Sequence, residues 1–552
     1  MPDRIELMAV DPAHSVAGRR VAVDSILIFC LGLLAFTVAP SAEFIGLEAR
    51  FALFAQTMLR EGPSFFPRTY LGAYPDYPAT ATFLIYLPSR LWGQVTPLCA
   101  FLPTAIASSF ILLITYRIAA IHSRLWGWYA VLLALLTQQF LAASRGISPD
   151  QYTSLVTALC FFWTYSAVLG GKNCPQWRLA AGLAAGFAFR GPIGLIIPAA
   201  VVCSVYVAQG DYRNLLRLSS AALVVLAACC GLLVLAAYHE GGTTFVQQVI
   251  KMQALGRLVG KARGPAFYWV NSFASYAVVY PLAVLVAAKC ASQTWTRTRD
   301  PNELRLIRSV TIWAIVILLG LSIPGEKRTR YILPAVPAFA LLASYIFVDA
   351  LPSRAISWTR VALLRLCDWL PGIGLAVSLG AFALRSRFSP PFYPARLMTA
   401  VTVLALSAIA WTLLRTTRRV HANVWRVAVA AGTLVVVHVG VVETVTLSLE
   451  GAAAFVQEVA VRNAKAPGPI VFWRIGPDQE DIRFMVNYDT AEAPKFVSTV
   501  DDLFNCDRHA WLIAEEESLA QLAPDVARRF EVCVRGRIGH KDCVAFRFTD
   551  LH

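Results

Sequence analysis

Acidic and arginine side chains are concentrated just after the first apolar segment of the chain. The stretch of about 40–98 carries Glu48 and Asp76 together with Arg50 and Arg68. A carboxylate can take a proton from an attacking hydroxyl, and a guanidinium can bind an anionic group. A polar connection of this length exceeds what a turn needs, so it predicts chemistry at a membrane surface. The alternative is that the carboxylates are solvated and paired with neighbouring arginines.

Two further polar positions interrupt apolar sequence. Arg145 and Asp150 flank a turn that contains Gly146 and Pro149, and Asp150 is interpreted either as a helix N-cap or as a functional acid. Arg190 precedes Gly-Pro within another apolar run. An arginine there is costly in lipid unless it faces a wet cavity or an anion, or snorkels to the interface.

Clusters of positive charge recur on the same predicted side of the membrane as these acids. Their members are Arg257 and Arg263 in the loop 238–267, and Lys327, Arg328 and Arg330 directly before Tyr331. Such clusters run against the usual bias of loop charges, and an anionic ligand such as a lipid phosphate explains them. We therefore expect acids beside a cationic phosphate site.

The elements that must position these residues are membrane helices. The 552 residues are 57% hydrophobic and only 15% charged, and the mean hydropathy is +0.58, which excludes an ordinary soluble enzyme. The net charge of +15 comes from short basic clusters between apolar runs. That pattern orients a chain in a bilayer and argues against a nucleic-acid partner.

The apolar runs predict about thirteen transmembrane helices. They lie near 21–39, 99–116, 125–144, 151–170, 177–189, 191–208, 217–237, 268–288, 307–323, 331–349, 361–384, 397–414 and 425–446. The fifth and sixth runs meet at Arg190, where one kinked helix is the alternative. Treating the fifth and sixth runs as two helices places all the basic loops on one side of the membrane. The N-terminus is then cytoplasmic, the first run is an uncleaved anchor, and residues 40–98 and the C-terminus are exported.

The composition changes near residue 449. Residues 1–448 form the predicted membrane domain, and residues 449–552 mix helical and strand patterns, which predicts a small exported α/β domain. Cys533 and Cys543 are symmetric about a turn predicted at Gly536–His540, which predicts a cross-strand disulfide; a bond from Cys506 to either one is the alternative. No cysteine and histidine spacing resembles a metal site.

Two short helices are predicted within the first exported loop. Residues 48–60 place Phe51, Phe54 and Met58 at helical spacing, which predicts a helix lying flat in the interface with its apolar face in lipid. Residues 80–92 predict a second interfacial helix or a re-entrant piece.

An ordered set of motifs resembles the membrane glycosyltransferases related to protein O-mannosyltransferases and to the aminoarabinose transferases of lipid A. The set comprises 46–52 with 58–62, 74–78, Asp150, 189–192, 264–269, and Lys327 with 330–334. Two positions depart from the pattern of many relatives. Leu47 stands where an Asp precedes the Glu, and Asp76-Tyr77-Pro78 stands where some relatives have Glu-Lys-Pro.

The resemblance implies a GT-C fold and an inverting transfer of a sugar from a polyprenyl-phosphate donor on the periplasmic side of a bacterial inner membrane. The acceptor would be lipid A or lipopolysaccharide, another envelope glycan, or a protein. Glu48 is then the first candidate for the base, Asp76 the second, and Asp150 an orienting or second acid. The donor phosphate and substrate are assigned to the following residues: Arg50, Arg68, Tyr77, Arg145, Arg190, Arg257, Arg263, Lys327, Arg328, Arg330 and Tyr331.

Fixed cations can stabilise the leaving phosphate, so neither a metal nor another cofactor is expected. Two other classes remain open on sequence alone. One is a polytopic lipid or sugar transporter, although no internal repeat is evident. The other is a non-catalytic relative that only binds polyprenyl phosphate, which would fit the loss at Leu47.

Overall fold

The structure is a computed structural model that describes nine ranges of the chain. They are 12–40, 43–44, 49–255, 263–292, 296–350, 352–384, 399–405, 422–477 and 480–549. Most of the described chain is helical, and a small sheet follows the last membrane helix.

The helical part is built from sixteen labelled helices. They are α1 (Pro12–Thr37), α2 (Ala49–Glu61), α3 (Thr80–Trp92), α4 (Pro97–Ala120), α5 (Arg124–Leu135), α6 (Gln138–Ser144), α7 (Pro149–Leu169), α8 (Gln176–Gln209), α9 (Tyr212–Ile250), α10 (Phe267–Ser275), α11 (Val279–Cys290), α12 (Pro301–Ser322), α13 (Val336–Val348), α14 (Arg354–Ala383), α15 (Ala422–Val437) and α16 (Glu443–Glu450). A π-helical turn, Lys251–Leu255, continues α9, and another, His438–Val442, joins α15 to α16. A 3₁₀ turn, Thr329–Ala335, leads into α13.

Within the described ranges, nine helices are long and apolar enough to cross a membrane, and the bent pair α5 and α6 makes a tenth. The predicted polytopic helical class is confirmed. Breaks explain part of the difference from thirteen runs: the run 125–144 bends by 78° between α5 and α6, and the run 268–288 divides into α10 and α11. Most of the run 397–414 lies outside the described residues.

The break predicted at Arg190 is a reversal of the chain inside α8. Arg190 (φ −143°, ψ 16°) and Gly191 (φ 61°, ψ −150°) leave the helical region. A Cβ on Gly186 would lie 2.1 Å from the carbonyl oxygen of Gly194. Since eight helical residues would separate these backbones by about 12 Å, the two halves of α8 must fold back on each other. Separating the runs 177–189 and 191–208 was therefore correct, and Gly191 adopts a conformation that side chains disfavour.

The same two-residue break recurs in α9. Gly241 (φ −158°, ψ 27°) and Gly242 (φ 63°, ψ −156°) nearly repeat the dihedral angles of the break in α8. Beside it, Phe245 meets Phe66 of the first loop edge to face, with ring centroids 5.0 Å apart. The break in α9 thus packs against the first loop, residues 40–98.

The C-terminal part holds a five-stranded mixed sheet. Its elements are α17 (Ala453–Lys465), β3 (Ile470–Trp473), α18 (Glu480–Tyr488), β4 (Lys495–Val497), α19 (Val500–Phe504), β5 (Trp511–Glu515), α20 (Glu516–Ala520), α21 (Pro524–Ala527), β6 (Phe530–Ile538) and β7 (Lys541–Phe548). The strand order is β4-β3-β5-β7-β6. Strand β3 runs parallel to β4 and β5, and β7 runs antiparallel to β5 and β6. A second, two-stranded sheet in the first loop pairs β1 (Arg68–Thr69) with β2 (Gly72–Ala73).

The first loop and the C-terminal part are joined by buried polar contacts. Glu43 accepts hydrogen bonds from the backbone N–H groups of Ala452 (2.9 Å) and Ala453 (2.7 Å), at the start of α17. Burial raises the pKa of Glu43, and these two hydrogen bonds oppose the rise. Phe44 and Asn487 exchange two hydrogen bonds of 3.1 and 3.0 Å between backbone and side chain.

Helix α2 corrects one expectation. Its apolar residues Phe51, Phe54 and Met58 are all buried within the protein, and Gln56 on the same helix donates to the carbonyl of Val486 in α18 (2.9 Å). Because α3 and the C-terminal part cover α2, its apolar face does not lie in lipid. An amphipathic pattern shows which face is apolar but not what covers it.

The predicted disulfide between Cys533 and Cys543 is absent, and both cysteines are free thiols, as is Cys506. The hairpin turns between Ile538 and Lys541, so Cys543 faces Gly536, and the register shifts at a bulge beside Cys533. The turn predicted midway between the two cysteines lies between one and two residues before the actual turn, so the two thiols are on residues that do not face each other.

We expect Cys543 to resist alkylation in the folded protein. It is buried, and burial raises its pKa to about 12, so the reactive thiolate is scarce near neutral pH. Mass spectrometry after brief maleimide treatment should show partly exposed Cys533 modified well before Cys543. After denaturation without reductant, all three thiols of this part should react, and Cys533→Ser should leave the labelling of Cys543 unchanged. A mass two units lower, with Cys533 and Cys543 both protected, would contradict the structure.

Candidate active site

Arg190 lies at the centre of a buried polar cluster. The break in α8 directs its guanidinium toward α7, where Nη2 lies 3.0 Å from Oδ1 of Asp150. Nη1 donates to the hydroxyl of Tyr77 over 3.2 Å, and the guanidinium carbon lies 5.5 Å from the ring centre of Tyr331. Three residues predicted from distant motifs therefore meet around one arginine, and this arginine does not snorkel.

Asp150 sits in the first turn of α7, whose N-cap is Ser148. Its other carboxylate oxygen lies 3.6 Å from Nε of Arg330. The side chain of Asp150 is 8% exposed and that of Arg190 12%, so little water screens the pair. The N-cap interpretation of Asp150 is wrong. One carboxylate therefore lies between two guanidiniums, the side-chain groups that bind anions such as phosphate most strongly.

Asp76 lies next to this cluster through its neighbour Tyr77. The carboxylate is buried and accepts two hydrogen bonds on Oδ1, from the backbone N–H of Tyr77 (3.0 Å) and from Nε2 of Gln253 (2.7 Å). Asp76 is therefore not a solvated loop carboxylate paired with Arg50 or Arg68. It is held in place beside the residue that binds Arg190.

A cavity lies along this cluster, and the space between its lining atoms, part of it open to solvent, is about 520 Å³. Asp150, Arg190 and Tyr331 line its polar part, and its apolar wall includes Ile193 and Leu321. Tyr268 and Glu326, which the sequence analysis did not assign to the site, also line it. A cavity with a polar end that contains a guanidinium, beside an apolar wall, suits an amphipathic ligand.

A second, larger cavity of about 1190 Å³ lies beyond Arg330. Arg145 lines it, but this side chain is already engaged. It forms an ion pair with Glu443 and donates to the carbonyls of Ala35 (2.7 Å) and Val38 (2.9 Å) at the end of α1. Arg145 therefore fastens α1 to α16 and is less available to a phosphate than predicted.

Three predicted phosphate ligands, Arg263, Lys327 and Arg328, are held by contacts within the protein. Nζ of buried Lys327 donates to the carbonyls of Arg263 (3.0 Å) and Pro324 (2.6 Å), and Nη1 of Arg263 donates back to the carbonyl of Lys327 (2.8 Å). Arg328 pairs with Glu326 over 2.8 Å. These residues close one loop against another beside the cavity.

The two predicted arginines of the first loop, Arg50 and Arg68, bind different partners. Arg68 pairs with Glu240 (2.8 Å) and Glu61 (3.6 Å), next to the break in α9. Arg50 donates to the hydroxyl of Tyr74 over 3.4 Å, on the loop that leads to Asp76. Arg68 is therefore occupied by carboxylates, while Arg50 supports the approach to the site.

Two predicted site residues, Glu48 and Arg257, lie outside the described residues. Gln253 was not predicted as a site residue, because a lone glutamine in a loop gives no charge or motif signal. Its one structural sign is the π-helical turn that carries it, since such turns are frequent at functional sites. Within the described ranges, no three histidine, cysteine or acidic side chains gather closely enough to hold a metal.

The comparisons with known proteins now define the fold. The chain matches crystal structures of ArnT from Cupriavidus metallidurans. Against the form bound to undecaprenyl phosphate the TM-score is 0.68 at 17% identity, covering 94% of this chain and 97% of that one. Against the apo form the TM-score is 0.69 at 16% identity, with 95% and 98% covered. The predicted GT-C fold is confirmed.

Comparison of the sequence alone does not identify a family for this chain. No family model matches the chain. An uncharacterized protein of Aquifex aeolicus (strain VF5) is 24% identical over 364 residues, which covers 64% of this chain and 69% of that protein. At such identity the relationship shows architecture, and the assignment of an activity depends on the site.

Proposed function

We propose that this protein is an inverting glycosyltransferase. It would move a sugar from a polyprenyl-phosphate donor to an acceptor, such as lipid A or lipopolysaccharide, another envelope glycan or a protein. The reaction would occur on the periplasmic face of a bacterial inner membrane, with a cytoplasmic N-terminus and an exported C-terminal domain from residue 449. The observation that carries the proposal is the cluster of Asp150, Arg190 and Tyr331 at the polar end of an apolar-walled cavity, within a GT-C fold.

The ligand chemistry follows from the shape and charge of the cavity. A lipid-linked sugar phosphate has an apolar chain and an anionic head, and the cavity offers an apolar wall beside the guanidinium of Arg190. Arg330 lies on the other oxygen of Asp150, outside this lining. A structure with the same fold, ArnT from Cupriavidus metallidurans, was crystallised with undecaprenyl phosphate bound, which supports a lipid phosphate as the ligand. Arg190 is the principal phosphate ligand in this proposal, and Arg330 assists it.

The reaction is a single displacement. The acceptor oxygen bonds to the anomeric carbon, the bond from that carbon to the phosphate oxygen breaks, and polyprenyl phosphate leaves with the electron pair. Cationic side chains stabilise the leaving group, so no general acid or metal is required at that oxygen. If the acceptor is a hydroxyl, its proton passes to a carboxylate, either Asp76 or Glu48.

The decisive test compares envelope lipids and glycans with and without this protein by mass spectrometry, complemented by variants of the acids. Asp76→Asn or Glu48→Gln is expected to lower sugar transfer at least about a hundredfold while binding of undecaprenyl phosphate persists. Transfer by the wild-type protein is expected to continue in EDTA. The exposed Asp501→Asn and Glu492→Gln serve as matched controls.

The contrary outcomes are distinct. Full transfer by both variants would remove the base assignment. Undecaprenyl phosphate binding without turnover by the wild-type protein would indicate a non-catalytic relative. Movement of lipid or sugar across vesicles without bond formation would indicate a transporter.

A further inference from the structure

Two helix breaks converge on the first exported loop close to Asp76. The break in α8 places Arg190 on Tyr77, and the break in α9 lies beside the ion pair of Glu240 with Arg68. After the second break the chain continues for one more helical stretch and then widens into the π-helical turn Lys251–Leu255. This route brings Gln253 to the carboxylate of Asp76.

The geometry points to a role for Gln253 that rests on the proposed function: we infer that Gln253 is a positioning residue for the Asp76 carboxylate. Its Nε2 lies 2.7 Å from Oδ1 of Asp76, which is the shorter of the two hydrogen bonds to that oxygen. Among the described residues, no hydrogen bond engages Oδ2, so that oxygen remains to receive a proton.

The orientation of the glutamine amide supports this role. A carboxylate oxygen only accepts hydrogen bonds, so the amide must present its N–H₂ group to Asp76. In that orientation Oε1 of Gln253 is buried and has no hydrogen-bond partner among the described residues. The hydrogen bond from Nε2 to Asp76 therefore orients the amide, although it leaves Oε1 buried without a partner at a cost in free energy.

The packing around the amide depends on the break in α8. A Cβ on Gly191 would lie 3.5 Å from Oε1 of Gln253 and 3.6 Å from Cβ of Tyr77. Gly191 therefore sits between the glutamine and the tyrosine that binds Arg190. The break at Arg190 and Gly191 thus positions both the guanidinium of Arg190 and the amide of Gln253.

The experiment compares Gln253→Met, which keeps the length of the side chain but lacks the donor, with Gln248→Met on the exposed side of the same helix. We expect Gln253→Met to lower kcat about tenfold with KM for the lipid donor changed less than about twofold. Gln253→Glu should be worse, since it places a second carboxylate against Asp76.

A second readout does not depend on activity. The Tyr77 amide also donates to Oδ1 of Asp76, so releasing the carboxylate should speed hydrogen exchange in a peptide covering residues 74–84. Gln248→Met should leave that exchange unchanged. Unaltered exchange together with an unaltered kcat would overturn the inference. If the wild-type protein transfers no sugar, the proposed function fails, while the exchange measurement still decides whether Gln253 holds Asp76.

Discussion

Replacing Arg190 by alanine is expected to reduce sugar transfer by about 10²- to 10³-fold, the range seen when one preorganised donor to a developing anion is removed. Arg190 contacts Asp150 and Tyr77 and lies against the ring of Tyr331. Removing its guanidinium takes away the positive charge nearest the cavity and leaves the Asp150 carboxylate facing the phosphate. Binding of undecaprenyl phosphate should weaken as well.

Arg190→Lys separates charge from geometry. An ammonium keeps the charge but cannot bind a carboxylate and a tyrosine hydroxyl through separate nitrogens of one plane. We expect Arg190→Lys to remain impaired by at least about tenfold. The exposed Arg178 on the same helix provides the control, because Arg178→Ala removes an equal charge away from the cavity. Transfer measured with purified protein and defined lipid donor decides the matter, and near-normal transfer by Arg190→Ala would refute the assigned phosphate site.

Replacing Asp150 by asparagine is expected to destabilise the protein as well as to inactivate it. The substitution leaves Arg190 and Arg330 facing each other in a buried site without their shared counter-charge. Breaking a buried ion pair from one side costs roughly 3–5 kcal/mol, because the remaining charge stays desolvated. Thermal unfolding in detergent should show a clearly lower midpoint for Asp150→Asn, and sugar transfer should fall with it.

A double variant distinguishes this cause from lost packing. If an uncompensated arginine is responsible, Arg190→Gln combined with Asp150→Asn should be more stable than Asp150→Asn alone. Simple addition of the two losses would show that the charges are not coupled. Asp525→Asn, at an exposed position in the C-terminal part, should leave the unfolding midpoint unchanged.

The sequence by itself determined the class of the protein and the membership of most of the cluster. A chain this apolar must satisfy its backbone inside helices, so the polytopic fold followed from composition. An arginine beside Gly-Pro inside an apolar run predicted a helix break facing a cavity or an anion, and Arg190 lies at such a break against Asp150. These inferences depend on the free-energy cost of placing a polar group in lipid, which a nearby cavity or counter-charge must offset.

Only the tertiary structure decided which partners each charge takes. Arg68 and Arg145 look like Arg190 in sequence, yet Arg68 pairs with Glu240 and Arg145 with Glu443. Gln253 carries no charge or motif, and only the break in α9 and the π-helical turn bring it to Asp76. Partner choice depends on contacts between residues far apart in the chain, and helical periodicity reports which face is apolar but not what lies opposite. Whether Cys533 and Cys543 face each other likewise depends on the register of the two strands, which only the folded sheet sets.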